Sequence, residues 1–336
     1  MFRRLIAAVF LLAVAAALLV LAWPQLFGLQ KAPIIAQIVS FRGAIALAAI
    51  VCFVLVAIPA LASRRFRRFG GSLAALLLIF VLANAAVLGT RGFGGTMASK
   101  ASGELSVVSW NTLGDAPGAE AIAKLALDSG ADIVTLPETT IETTRAVASI
   151  MAAAGHPMQS LGLDFGHGLK ARSTSMLIST SLGTYVMDET MGSTKTLPTV
   201  IAKPKNGSGP TIVAVHTVAP VPKEMRNWRS DLLWLSGVCT NANTILSGDF
   251  NATIDHLAGL GTGSHTMGSC TDAGSQTNTA AVGTWPTAIP AVLGAPIDHV
   301  MAGSDWKATG MRVVEDLDHA GSDHRPIVAH LARSSG

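Results

Sequence analysis

Near its C-terminus the chain reads GSDHRP, residues 321–326, with an acid directly beside an imidazole. In isolation such a hexapeptide is as readily a polar turn before a strand that starts at Pro326. Its meaning depends on five other stretches: SWNTLG (109–114), DIVTLPE (132–138), VAVHTVAP (213–220), SGDFNA (247–252) and PIDHV (296–300). Together they carry Asn111, Glu138, His216, Asp249, Asn251, Asp298, Asp323 and His324 next to short apolar runs. Carboxylate and amide oxygens are what a hard divalent cation accepts, and such an ion polarises a bound phosphoryl oxygen. Histidine exchanges protons near neutrality, where Lys and Arg do not. A carboxylate behind an imidazole fixes its tautomer and stabilises its charged form. The residue types therefore suit hydrolysis assisted by a metal ion.

These groups need elements that carry them to one place. From residue 105 onward short β-like runs alternate with helical ones, the pattern of a layered α/β protein. LSVVSW (105–110), DIVTLPE, SMLIST (175–180), TYVMDE (184–189), TVIAKP (199–204), TIVAVH (211–216), TILSGDF (244–250), IDHVMAG (297–303), GMRVVEDL (310–317) and PIVAHL (326–331) read as strands. Helices are expected over 119–130, 139–155 and 223–238. Residues 259–284, rich in Gly, Thr and Ser, read as an irregular loop. Long successions of strands on either side of helices favour two packed sheets over one parallel sheet. The polar residues fall at strand ends, and strand ends converge at one edge of such a sandwich.

The six stretches, in this order, resemble the endonuclease/exonuclease/phosphatase superfamily, and they span residues 105–331. The resemblance implies a four-layered α/β sandwich, two packed β-sheets flanked by helices, that hydrolyses phosphoesters with Mg²⁺ or Mn²⁺. It implies that Glu138 is the principal metal ligand, with Asn111 and Asp323 near the same ion. His324 would be the general base or an electrostatic partner at the phosphate, with Asp298 orienting its ring. Asp249 would position the attacking water, while Asn251 and His216 would hold non-bridging oxygens. Two departures bear on substrate. Thr139 stands where deoxyribonuclease I has an arginine that reaches into the DNA groove, and KARSTSM (170–176) lacks the glutamate that backs the matching histidine in that enzyme. Both put duplex DNA in doubt and leave a short nucleic acid, a lipid head group or a small phosphodiester as the substrate. A lipid or sugar-phosphate phosphatase and an inactive surface-binding module remain the alternatives. The intact polar set argues against the latter.

Other polar residues have plainer readings. His299 neighbours Asp298 on a strand, so its side chain is expected on the opposite face. His156, His167, His256, His265, His319 and His330 show no zinc-ligand spacing, although His167 could approach the cleft from its loop. Trp285 could stack on a substrate or simply pack. Cys239 and Cys270 could form a disulfide or remain two buried thiols.

Charge divides the chain. All 21 acids lie between Glu104 and Asp323, while ten of the 24 Lys and Arg lie in residues 1–100. Residues 101–336 therefore carry a net charge of about −7, a poor match for a polyanionic duplex. The basic N-terminal segment holds three apolar runs, 5–22, 43–62 and 72–89, each near the ~20 residues that cross a bilayer. Arg3 and Arg4 precede the first, and RRFRR (64–68) separates the second from the third. The positive-inside bias places both clusters in the cytoplasm and everything after the third run outside it. Arg42 is expected to snorkel toward the outer interface. The resulting expectation is a multi-pass anchor in the cell membrane (1–90) with the lipid bilayer as its partner, a flexible tether (91–104) and an extracytoplasmic catalytic domain (105–336). Nothing in the sequence calls for an obligate protein partner.

Overall fold

The computed structural model describes residues 2–95, 97–166 and 169–334. His167 lies outside the described residues. The chain divides into two compact units, Met1–Thr90 and Arg91–Gly336.

The first unit contains α1 (Phe2–Ala22), a 3-10 turn (Pro24–Phe27), α2 (Ile35–Ser40), α3 (Arg42–Ala62) and α4 (Arg67–Arg91). Helices α1, α3 and α4 are long and apolar enough to cross a membrane, and 21 residues of α-helix extend about 30 Å. Pro24 sits in the first turn of the 3-10 segment, where its missing N–H costs nothing, and Gly28 ends that segment in the left-handed region. Arg42 does not point outward as expected. It is 3 % exposed, donating to Asn84 Oδ1 at 2.8 Å and to the carbonyl of Ala22 at 3.3 Å. The terminal carbonyl of α1 lacks an intrahelical donor, so it and the Asn84 amide offer the guanidinium better acceptors than an apolar surface does.

Among the described residues, the second unit is built on twelve strands: β1 (Leu105–Ser109), β2 (Ile133–Pro137), β3 (Met158–Asp164), β4 (Ser173–Ser179), β5 (Tyr185–Met187), β6 (Val200–Pro204), β7 (Thr211–His216), β8 (Thr244–Asp249), β9 (Thr271–Asp272), β10 (Asp298–Ala302), β11 (Trp306–Val313) and β12 (Ile327–Arg333). Its helices are α5 (Gly118–Asp128), α6 (Ile141–Ala153), α7 (Met225–Val238), α8 (Ile254–Leu257) and α9 (Ala273–Gln276). One sheet runs β11-β12-β1-β2-β4-β3 and the other β5-β6-β7-β8-β10-β9. Both are mixed: β1 pairs with β2 in parallel and β7 with β8 in parallel, while the remaining neighbours are antiparallel. This is the two-sheet α/β sandwich that the strand pattern implied.

Side-chain alternation explains the packing. Val107 and Ile133 face inward, where they meet Ile212, Ile245 and Val300 of the second sheet. Val108 and Val134 face outward against α5 and α6, through Ile122 and Val147. Because both faces are covered, these strands read as continuous apolar runs. Strand β3 escaped the sequence reading: MQSLGLD is half-buried at a sheet edge and lacks β-branched residues. Strand β11 begins at Trp306, four residues earlier than read, with a register shift between Ala308 and Gly310. Within the segment read as a tether, Gly94 N–H donates to Asn278, Gly92 accepts from Ala281, and Lys100 pairs with Asp132 at 2.6 Å.

Register aligns the chemistry. His216 faces Asp249 across β7 and β8, Asp249 faces Asp298 across β8 and β10, and Pro137 faces Thr174 across β2 and β4. Ser109, two residues before Asn111, faces both Thr135 and Ile327. One end of the sandwich therefore collects every polar strand tip singled out above.

Candidate active site

Glu138 and Asn251 reach this end by an unusual backbone route. Glu138 follows β2 directly and Asn251 follows β8 after Phe250, and both adopt left-handed conformations, φ 55° and 44°, which L residues with a Cβ seldom occupy. The Glu138 turn is held by the Thr112 hydroxyl and the Asp115 N–H, which both donate to its carbonyl. The carboxylate of Asp115 in turn accepts from the N–H and hydroxyl of Thr140 at 2.9 Å each. The Asn251 turn is closed by its own N–H donating to Asp249 Oδ1 at 2.7 Å. Gly248 supports the same tip from behind, because a Cβ there would sit 2.0 Å from the Val215 carbonyl oxygen.

A single hydrogen-bonded network joins the two sheets. Asn111 Nδ2 donates to Glu138 Oε1 and to Asp249 Oδ2, each at 3.1 Å. Asn251 Nδ2 also donates to Asp249 Oδ2, at 3.1 Å, and to the Thr217 carbonyl at 2.9 Å. His324 Nδ1 lies 2.9 Å from Asp298 Oδ2, while its Nε2 lies 3.9 Å from Asp249 Oδ2. His216 Nε2 faces Glu138 Oε1 at 3.9 Å. Asp323 stands close enough to raise the pKa of both Glu138 and His324, and its Oδ2 accepts from Trp285 Nε1 at 2.8 Å. All eight residues singled out from the sequence thus meet in one place.

Electrostatics separate their states. Burial pushes Glu138 up, with the Asn111 hydrogen bond opposing. Burial also pushes Asp249 up, although His324 draws it back down. Burial would lower the His324 pKa, but the carboxylates of Asp298 and Asp249 outweigh it and hold the ring well above its ordinary range. His216 goes the other way, down to about 3, because it is buried and faces the charged His324.

Several details were not legible from residue types. Thr174 stands behind His216, with its hydroxyl 3.1 Å from Nδ1, in the stretch KARSTSM that holds no carboxylate. Thr139 is fully buried and bonds to Thr112, so it does not reach out of the cleft. The Asn111 oxygen accepts from the Leu113 N–H, which leaves the nitrogen end of the amide toward the carboxylates. His299 faces away from the site, as expected, and joins Asp272 to the Ala252 carbonyl at 2.8 Å each.

Arg325, the basic residue of GSDHRP, is 1 % exposed and donates to the carbonyls of Gly283, Pro286, Thr287 and Ile289 and to Asp318. It therefore holds the loop that carries Trp285, and through Trp285 the carboxylate of Asp323. Only a basic residue just before the apolar strand β12 could have signalled this. The site is not defined by cavity size: a space of about 530 Å³ bordered by Lys100, Arg312 and His330 contains none of these residues.

The model of the endonuclease/exonuclease/phosphatase family matches residues 108–324, a span that begins in β1 and ends at His324. The chain belongs to this family. Solved structures agree on the fold. A humanized TDP2 of D. rerio superposes with a TM-score of 0.51 at 16 % identity, covering 68 % of this chain and 99 % of that one. D. rerio TDP2 complexed with a single-strand DNA product gives 0.51 at 16 % identity, covering 68 % and 98 %. An endonuclease/exonuclease/phosphatase from Bacteroides vulgatus gives 0.50 at 17 % identity, covering 69 % and 99 %. No curated protein matches significantly. At these identities the likeness extends to the fold, and the chemistry must be argued from the site.

The donor set fits a divalent cation. Glu138, raised by burial and also by the nearby Asp323, shares the Asn111 amide with Asp249, so carboxylate and amide groups gather where a cation would offset their charge. Asp249, Asp298 and His324 also bring one ligand atom each to within 4.8 Å of one another. The first of these arrangements suits a hard ion better, because His324 Nδ1 already occupies Asp298 Oδ2.

Proposed function

We propose that this protein is a membrane-anchored, divalent-metal-dependent phosphoester hydrolase whose catalytic domain works outside the cytoplasm. The observation that carries the reading is the network joining Asn111, Glu138 and Asp249 across the two sheets, with the Asp298–His324 pair at its side. Glu138 and Asp323, with Asn111 after a half-turn of its amide, would hold Mg²⁺ or Mn²⁺. When bound, the ion polarises the phosphoryl oxygen and offsets the charge of the transition state.

The side chains account for the protons. Asp249, its pKa raised by burial, accepts a proton from the attacking water as the water oxygen bonds to phosphorus. His324, kept charged by Asp298, stabilises the equatorial oxygens and can return a proton to the departing alkoxide as the phosphorus–oxygen bond breaks. His216 donates a neutral hydrogen bond from Nε2 to a non-bridging oxygen, and Asn251 can do the same by exchanging its bond to Asp249 or Thr217.

Localisation is supported by three helices of membrane-spanning length and by the arginine clusters at residues 3–4 and 64–68. The Cys239–Cys270 disulfide of the second unit adds to this, because such bonds persist in oxidising compartments.

The test is hydrolysis of a chromogenic phosphodiester by the detergent-solubilised full chain. Chelation should abolish turnover and Mg²⁺ or Mn²⁺ restore it, and Glu138→Gln should raise the metal concentration needed for half-activity at least about tenfold. Full activity in chelator would refute the reading.

A further inference from the structure

We propose that the loops around the site form a rim that touches a lipid bilayer, and that the substrate is a phosphoester of a membrane lipid. The proposal rests on the hydrolytic reading above and names the substrate class for that site.

The argument starts from where apolar side chains are left in solvent. Among the described residues of the second unit, Leu113, Phe165, Leu169, Val221 and Val292 are large, apolar and exposed, at 45, 37, 62, 48 and 51 %. Each lies in a loop that starts or finishes at a strand tip of the site end. Leu113 follows β1 and Asn111. Phe165 and Leu169 lie in the loop from β3 to β4, and β4 opens beside Pro137. Val221 follows His216, and Val292 lies in the loop that leads to Asp298. Among the described residues, only Phe93, Val186 and Leu233 are comparably large, apolar and exposed elsewhere in the unit. A single exposed leucine needs no explanation, but apolar residues gathered on four loops around one cleft mark a contact surface.

Leu113 sharpens the point. Its backbone is held at φ 49°, a conformation costly for a side chain with a Cβ, and its N–H donates to Asn111 Oδ1. The fold thus accepts strain and exposure together to keep a leucine beside the site.

Charge indicates what the rim meets. Leu169 is followed by Lys170, itself 57 % exposed, and Val221 with Pro222 is followed by exposed Lys223 and Arg226. Apolar tips with adjoining Lys and Arg suit the boundary between acyl chains and phosphate head groups. Of the nearby acids, Asp115 pairs with Lys170 and accepts from Thr140, Glu224 accepts from Asn227 and Asp164 from the Gly166 N–H, so the positive charge of the rim comes chiefly from Lys223 and Arg226. The chain also carries three helices able to cross a membrane, so a substrate within that bilayer need not arrive from bulk solution. A surplus of about seven acids over bases in residues 101–336 disfavours a long polyanion instead.

The test uses the full chain in detergent with Mg²⁺ and three probes: phosphatidylglycerol in mixed micelles, soluble bis(4-nitrophenyl) phosphate and a single-stranded oligonucleotide. Wild-type protein should hydrolyse the micellar lipid in preference to the oligonucleotide. The double variant Leu169→Ser with Val221→Ser should lose at least tenfold more activity on the micelle than on the soluble diester. Leu169→Met with Val221→Ile, which keeps the apolar surface, should retain the wild-type ratio. Equal losses on both substrates, no loss on either, or preference for the oligonucleotide would overturn the lipid assignment while leaving hydrolysis standing. Failure to hydrolyse any probe would remove the hydrolytic reading and this proposal with it.

Discussion

Two buried histidines face the site from different sheets, and what stands behind each ring differs. His324, in the turn before β12 of the first sheet, has Asp298 at 2.9 Å behind Nδ1. His216, the last residue of β7 in the second, has the hydroxyl of Thr174 at 3.1 Å in the equivalent place. Both are almost wholly desolvated, so burial penalises charge in each. In the first corner carboxylates overcome that penalty, and in the second a neutral hydroxyl does not. One fold thus raises the pKa of one imidazole and lowers that of the other, and in the proposed mechanism proton exchange falls to the first and simple hydrogen bonding to the second.

The sharpest way to break this contrast is to remove each ring. His324→Ala should lower kcat by at least the ~10²-fold typical of lost acid–base catalysis. His216→Asn, which can still donate a hydrogen bond, should cost no more than about tenfold. Steady-state kinetics on a chromogenic diester would measure both. Equal losses would mean that His216 also carries charge during the reaction.

A smaller contrast is expected for the groups behind the rings. Asp298→Asn removes the charge that keeps His324 protonated and should reduce kcat by about 10- to 100-fold, with the pH optimum moving toward acid. Thr174→Val removes one neutral hydrogen bond, worth about 0.5–1.5 kcal/mol, and should change kcat less than about tenfold with no movement of the optimum. A pH–rate profile of both variants checks this, and a shifted optimum in Thr174→Val would erase the distinction.

That contrast also shows what residue types can and cannot reveal. Asn111, Glu138, Asp249 and Asp298 were legible because each adjoins an apolar run, and strand ends must converge once two sheets pack. The three long helices before residue 91 were legible because apolar runs of about 20 residues without acids have the length and composition of membrane-crossing helices. Thr174 was not legible, because a threonine in a strand ordinarily fills a pleat, and only the pairing of β2 with β4 aims it at His216. Arg325 was hidden for the same reason: its four carbonyl acceptors lie 36 to 42 residues away along the chain. The Arg42 side chain was misjudged because its acceptor Asn84 sits on another helix, which no local pattern reports. Local chemistry marks the tips of elements, while the groups behind them depend on register.

The smallest effect concerns stability, and its sign follows from the two rings. An unfolded histidine titrates near ~6.5, whereas His216 in the folded protein is held down to about 3. Between these values the unfolded chain binds a proton that the folded chain excludes, so acid favours unfolding. The contribution is fully present above pH 6.5 and declines as the pH falls toward 3. His324 behaves oppositely: its raised folded pKa adds stability below the unfolded value, and that stability is lost as the pH rises through the folded one. Replacing His216 by Asn should therefore flatten the fall in thermal stability between pH 6.5 and 4, while leaving the alkaline side unchanged. Thermal melts of wild type and His216→Asn at matched ionic strength would measure this, following a signal of the second unit. An identical acid slope in both proteins would show that His216 is already charged in the folded state, and the neutral corner would have to be given up.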